Sequence, residues 1–129
     1  MVALGTAAYH DLLVAYAAAW SRHDLDAIMG MMTPDCRFES SGGPDPWGRG
    51  YEGQAAVREG IAEIFEMLPD VRFVDGRHFV CGDRGASEWT MIATRPDGGR
   101  IETRGCDLFE FRDEKIVRKD SYRKRRLAR

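Results

Sequence analysis

The sequence lacks the patterns that mark a metal, nucleotide or covalent-nucleophile site. Its cysteines, Cys36, Cys81 and Cys106, are odd in number and show neither CxxC nor a Cys/His spacing suited to zinc. No metal and no cofactor are therefore expected, and the thiols are expected to be reduced, as in a cytoplasmic protein. There is no P-loop, nucleophile elbow, HExxH or dinucleotide-binding glycine fingerprint. Internal repeats and low-complexity segments are absent, which excludes solenoid and fibrous architectures. Before Arg22 there is no Lys or Arg, and His10 and Asp11 interrupt an Ala-rich apolar run. Neither a signal peptide nor a membrane span is expected there.

What is present reads as one domain. At 129 residues and 43% hydrophobic composition, the chain can bury a core without disulfides or metal, and residues 1–129 are expected to form a single unit. The formal net charge of −2 hides an asymmetry: Lys115 to Arg129 carries eight Lys/Arg against Asp120 alone. Such a tail reads as a solvated edge strand and terminus kept soluble by its cations, and no nucleic-acid partner is expected. An anion site there would instead show binding that weakens steeply with salt.

Apolar spacing gives the elements. Tyr9, Leu12, Leu13, Tyr16 and Trp20 recur at helical spacing, which predicts an amphipathic helix from about Thr6 to Arg22. Asp24 is placed to cap a short second helix through Leu25, Ile28, Met29 and Met32, weakened at Gly30 and ended at Pro34. Cys36 to Ser40 alternates as a short strand. From Ser41 to Gly53 there is too much Gly and Pro for a regular element. Trp47 and Tyr51 give this loop an apolar underside, able to close over a cavity or simply to pin the loop to the surface. A third helix is predicted from about Gln54 to Leu68, stopped by Pro69. Val71–Val80, Ala86–Arg95, Arg100–Arg112 and Lys115 to about Arg125 then read as four strands with breaks of hairpin length. Helices followed by an antiparallel meander make an α+β fold, in which a curved sheet covers its apolar face with the three helices.

This order of elements, with WSRHDLDAIMGMMTPDCRFES, GYEGQAAVREGI and GCDLFEFRDEKIV, resembles the SnoaL-like members of the nuclear transport factor 2 superfamily over nearly the whole chain. The resemblance implies a cone-shaped α+β barrel, three N-terminal helices packed on a curved, mostly antiparallel sheet around a pocket. It also implies a homodimer formed through the outer sheet face. It implies no single reaction, because the fold hosts isomerases, polyketide cyclases, dehydratases, epoxide hydrolases and non-enzymatic binders. Ketosteroid isomerases share the fold, and their oxyanion pair is a first-helix tyrosine and a neutral aspartic acid on the third long strand. Tyr16 and Asp107 match those two positions. At the isomerase's base position this chain has Ser40, which cannot take up a proton near neutral pH, and the adjacent Glu39 points to the other strand face.

The stretch from Cys106 to Arg123, CDLFEFRDEKIVRKDSYR, concentrates the chemistry. Asp107, Phe109 and Phe111 share one strand face, Leu108 and Glu110 the other. With a two-residue turn at Asp113 and Glu114, Arg112 pairs with Lys115, Phe111 faces Ile116, and Asp107 comes to lie opposite Asp120. Two carboxylates in one partly dry site would share a proton. A type I′ turn favours Gly where this chain has Glu114, and a three-residue turn would slip the register by one. Lys119, Ser121 and Arg123 would then join Asp107 as cationic or polar partners. From sequence both registers stand.

Among the histidines, His78 lies mid-strand as a candidate pocket base, His10 is expected at the solvent, and His23 beside the Asp24 cap. The expected pocket wall takes Trp20, Phe38, Ser40, Trp47 and Phe65 from the first half of the chain. From the second half it takes Trp89, Met91, Phe109 and Tyr122. The leading functional reading is a cofactor-independent acid/base enzyme, an isomerase, aldol-type cyclase or dehydratase acting on a small apolar carbonyl compound. In that reading Tyr16 and a protonated Asp107 hold an enolate oxygen while Asp120 or His78 moves the proton. The alternative is a non-catalytic module that binds a hydrophobic molecule or dimerises.

Overall fold

Residues 2–127 are described by a computed structural model. Helices α1 (Val2–Ser21), α2 (Leu25–Gly30) and α3 (Gln54–Met67) pack on a six-stranded sheet. Its strands are β1 (Met32–Glu39), β2 (Gly50–Glu52), β3 (Arg72–Cys81), β4 (Arg84–Thr94), β5 (Arg100–Arg112) and β6 (Lys115–Arg123). Their spatial order is β2-β1-β6-β5-β4-β3, antiparallel throughout except that β1 runs parallel to β6. The sheet is curved and unclosed, and the α+β class is as expected.

The helices follow their periodicity. On α1, Leu13, Tyr16, Ala19 and Trp20 are buried. The Asp24 carboxylate caps α2 by accepting from the Ala27 N–H at 3.1 Å. That helix ends earlier than its apolar spacing suggests, so Met32 and Pro34 belong to β1. Pro34 has no N–H to give a ladder, and the β1–β6 pairing breaks between Met32 and Arg37. His23, expected to act locally, reaches across instead: its Nε2 lies 2.6 Å from the Val71 carbonyl oxygen and its ring stacks on Phe65 at 4.1 Å. Gln54 opens α3 and donates to the carbonyls of Met29, Met32 and Thr33, each at 3.1 Å. That contact ties α3 to the corner between α2 and β1.

The Gly/Pro-rich loop contains one short strand, β2, paired with β1. Tyr51 in it stacks on Phe38 at 5.7 Å and lies flat against Gly60, where an added Cβ would come within 2.8 Å of the ring. The main core lies between the helices and the concave sheet face, around Leu13, Trp20, Phe38, Ile61, Phe109 and Ile116. A smaller cluster of Val71, Trp89, Met91 and Ala93 continues it.

The β5–β6 hairpin combines features of both expected registers. Asp113 and Glu114 both take left-handed φ, 54° and 62°, so the two-residue turn forms without glycine. Arg112 pairs with Lys115 and Phe111 with Ile116, as that turn requires. Glu110 then pairs with Arg118, leaving Val117 as a bulge, and beyond it the register is one residue out. Phe109 meets Lys119, Leu108 meets Asp120, and Asp107 meets Ser121. The opposition of Asp107 and Asp120 therefore does not occur.

Candidate functional site

Directly opposed residues of neighbouring strands present their side chains on one face. His78 on β3 pairs with Ser87 on β4, Ser87 with Asp107 on β5, and Asp107 with Ser121 on β6. Four polar residues thus cross the concave face in a row, on a surface otherwise built from aromatic and aliphatic side chains. Lys119, two residues before Ser121 and on the same side of the bulge, reaches the same row.

Asp107 is the centre of that row, and every partner donates to it. Trp89 Nε1 donates at 3.0 Å to Oδ2, while Lys119 Nζ at 2.9 Å and Ser121 Oγ at 2.6 Å donate to Oδ1. Lys119 also donates to Ser121 Oγ at 2.7 Å, closing a three-membered ring of polar groups. Trp89 reaches Asp107 because it lies over Gly105, where any side chain would overlap the indole. The Lys119 ammonium sits 4.7 Å from the Trp20 ring centroid and 4.9 Å from that of Phe38. A buried pair of this kind is held by its hydrogen bonds, and removing one member leaves a costly lone charge. The neutral, donating Asp107 expected from the isomerase resemblance is not what this geometry supports, since all three neighbours treat it as an acceptor.

From α1, Tyr16 and Trp20 face the same space. Burial pushes the Tyr16 phenol well above its ordinary value, with the Asp107 charge adding to the effect. Its hydroxyl has only the Met32 sulfur, a weak acceptor, at 3.5 Å. Trp20 Nε1 is turned toward the phenol oxygen but closes no hydrogen bond, and it is buried without a partner. His78 Nδ1 lies 2.7 Å from Ser87 Oγ. Desolvation, and then the charge of His10 whose ring meets it edge-on at 5.9 Å, hold the His78 pKa below the ordinary histidine value.

These side chains enclose a cavity of about 50 Å³, room for a few waters or one compact molecule and well below the usual ~300–1,000 Å³ of a ligand pocket. Tyr16, Trp20, His78, Trp89, Asp107 and Phe109, all singled out in the sequence, line it together with Lys119 and Ser87. Lys119 entered the sequence reading only through the alternative register, and Ser87 not at all. The signal for Ser87 is the alternation Ser87, Trp89, Met91 along β4, which sets all three on the buried face.

The sequence profile of the SnoaL-like domain matches residues 13–119. The chain belongs to the SnoaL-like domain family. Solved structures with the same fold include a candidate polyketide cyclase from Xanthomonas campestris pv. campestris, 21% identical at a TM-score of 0.82. That alignment covers 92% of this chain and 91% of the other. TerC, crystallised with polyporic acid, is 21% identical at a TM-score of 0.77 over 91% of this chain and 92% of its own. An NTF2-like protein of unknown function from Mesorhizobium loti is 25% identical at a TM-score of 0.75, over 93% of each chain. No curated protein sequence matches the chain.

In this SnoaL-like domain several expected pocket residues lie elsewhere. Phe38 is buried behind Lys119, and Phe65 packs on Trp20 at 5.3 Å, one layer back from the cavity. Met91 belongs to the second core cluster, where its sulfur meets Arg123 Nη1 at 3.4 Å. Asp120 and Tyr122 face the outer side of the sheet because of the Val117 bulge, the Tyr122 hydroxyl donating to Asp120 at 3.0 Å. Ser40 is spent on its own loop, donating to the Gly42 carbonyl at 2.7 Å and accepting from the Arg49 N–H at 3.3 Å. Trp47 is more than half exposed and, with Ser40, Asp120 and Tyr122, borders an open groove away from the cavity. On the outer face Arg118 bridges Glu39 at 2.6 Å, Glu110 at 2.9 Å and Asp120 at 3.4 Å, which holds the Glu110 carboxyl below its usual range. Among the described residues no group of three or more His, Cys, Asp or Glu is placed to hold a metal ion. Nor is any described helix long and apolar enough to cross a membrane.

Proposed function

We propose that this SnoaL-like protein binds a compact, mostly apolar carbonyl compound in its interior cavity and moves a proton on it. His78 is the base and Tyr16 donates to the carbonyl oxygen as it gains charge. The carrying observation is that a depressed-pKa imidazole, fixed at Nδ1 by Ser87, and a phenol without a strong acceptor line one small aromatic-walled space. Asp107, hydrogen-bonded as an acceptor, positions Lys119 rather than protonating the substrate. The chemistry this fits is enolisation, the shared step of isomerisation, aldol-type cyclisation and dehydration.

The test is exchange of solvent deuterium into the carbon next to the carbonyl of small ketones, followed by NMR. Exchange above the buffer rate is expected for the natural protein and should be lost in His78→Gln and Tyr16→Phe, with circular dichroism confirming that both fold. Unaltered exchange in both variants overturns this assignment of roles.

A second reading, non-catalytic binding, is favoured by the tie between Asp107 and Lys119 and by the small cavity. It predicts that a bound carbonyl compound raises the melting temperature of natural protein and His78→Gln alike, with no exchange in either.

We further propose a cytoplasmic homodimer joined through the outer sheet face. Support comes from the unpaired thiols of Cys36, Cys81 and Cys106 and from the exposed Phe79, Leu108 and Tyr122 on that face. Light scattering should show a dimer that Leu108→Glu converts to monomer; a monomeric natural protein would exclude the interface.

A further inference from the structure

We infer that Lys119 is a carbonyl-trapping amine, forming an imine with a small ketone or aldehyde that enters the interior cavity. The inference rests on the reading of that cavity as a carbonyl site and adds a covalent step to it.

The chain's lysines are Lys115, Lys119 and Lys124. Lys115 and Lys124 are exposed, whereas Lys119 is only 5% exposed and lines the cavity with its carboxylate partner Asp107 and with Trp20. A purely structural ion pair gains nothing from facing an internal space, because packed apolar neighbours would serve it better. Here the amine borders that space, between two aromatic rings that exclude water, the surroundings in which a lysine becomes a nucleophile.

Trp20 provides the second, independent observation. Its Nε1 is a buried donor that closes no hydrogen bond, turned toward the Tyr16 oxygen on a residue 5% exposed that lines the same cavity. A buried orphan donor is rare and costly, and an oxygen atom of a bound ligand would satisfy it. Amine and orphan donor together suit one functional group, a carbonyl, whose carbon the amine attacks and whose oxygen the indole N–H can hold.

The step balances within the residues present. One Nζ proton passes to Asp107 Oδ1, 2.9 Å away, or through Ser121 Oγ, which accepts from Nζ at 2.7 Å and donates to Asp107 at 2.6 Å. The freed nitrogen lone pair adds to the carbonyl carbon, the C=O π pair moves to oxygen, and that oxygen takes a proton to give a carbinolamine. Loss of the hydroxyl and the remaining nitrogen proton as water leaves the C=N bond, so amine plus carbonyl gives imine plus water. A protonated imine withdraws electrons from the adjacent carbon more strongly than the carbonyl does, which eases proton removal by His78.

The experiment treats the natural protein with acetone and sodium cyanoborohydride, which reduces an imine to a stable isopropylamine, and maps alkylation by peptide mass spectrometry. Lys115 and Lys124 are internal controls, so the main comparison needs no variant. Alkylation of Lys119 at least about tenfold faster than either control is expected, as for an oriented reactant in a desolvated site. Trp20→Phe should slow labelling at Lys119 alone. Labelling of Lys119 no faster than the surface lysines overturns the inference. If deuterium exchange dependent on His78 persists in that case, the cavity remains a carbonyl site and only the covalent step falls; loss of both removes both.

Discussion

Asp107 stands opposite Ser121 rather than Asp120, because Val117 has no partner in the β5–β6 ladder. That one unpaired residue brings Lys119 to the concave face and turns Asp120 to the outer one. The interior is left with one carboxylate and one ammonium at 2.9 Å in place of two carboxylates.

Deleting Val117 should remove the bulge yet leave Arg118 opposite Glu110 and Asp107 opposite Ser121, because the residues beyond the bulge already hold that pairing. Lys119 then keeps its place beside Asp107, and the cost is expected to stay below the roughly 3 kcal/mol of a stranded buried charge. Urea denaturation measures this, and a larger loss would show that the bulge itself is needed to fit β6 between β1 and β5.

Lys119→Met should remove the cation while keeping much of the apolar volume over Trp20 and Phe38. The stranded Asp107 is expected to cost about 3–5 kcal/mol, and adding Asp107→Leu should recover most of that loss. A single variant as destabilised as the double one would mean that packing, and not the charge, dominates at this site.

Gly105→Ala inserts a methyl group where the Trp89 indole and the Tyr122 carbonyl already crowd. A cost of about 1–3 kcal/mol is expected from overpacking. The Trp89 indole N–H resonance should also lose the shift imposed by its bond to Asp107 at 3.0 Å. An unchanged resonance would place the strain elsewhere.

His78 should titrate below an ordinary histidine, because desolvation and then His10 disfavour its charged form. The folded pKa lies below the unfolded one, so the stability linked to this group is present above the unfolded value and is lost as pH falls through the folded one. NMR titration of the ring protons reads it directly. His10→Ala should move the value part of the way back up, and no movement would leave desolvation as the sole cause.

The fold was largely legible because it is carried by periodicity and turn chemistry: α1, α3 and the four long strands lie close to where their apolar spacing puts them. What escaped is what depends on neighbours distant in sequence. Val117 resembles any β-branched strand residue, yet β6 must also fit β1 on its other edge, where the Ile116 N–H bonds to the Met31 carbonyl at 2.9 Å. That second constraint is invisible in a hairpin count outward from Asp113 and Glu114. Aromatic side chains were similarly ambiguous, since composition alone cannot assign Tyr122 and Trp47 to the outside and Trp20 and Trp89 to the inside. The resemblance to ketosteroid isomerases matched Tyr16 and Asp107 to one pair but could not supply the lysine that changes what the aspartate does.

β6 lies in the middle of the sheet, joining β1 on one side to β5 on the other. A chain emerging from the ribosome therefore cannot connect β2–β1 with β5–β4–β3 until residues 115–123 have cleared the exit tunnel. Until then β1 and β5 each expose an unpaired edge that can recruit another chain. Shortening the protein within β6 would split the sheet in two instead of trimming its border, so tolerance to C-terminal truncation should end abruptly at Arg123.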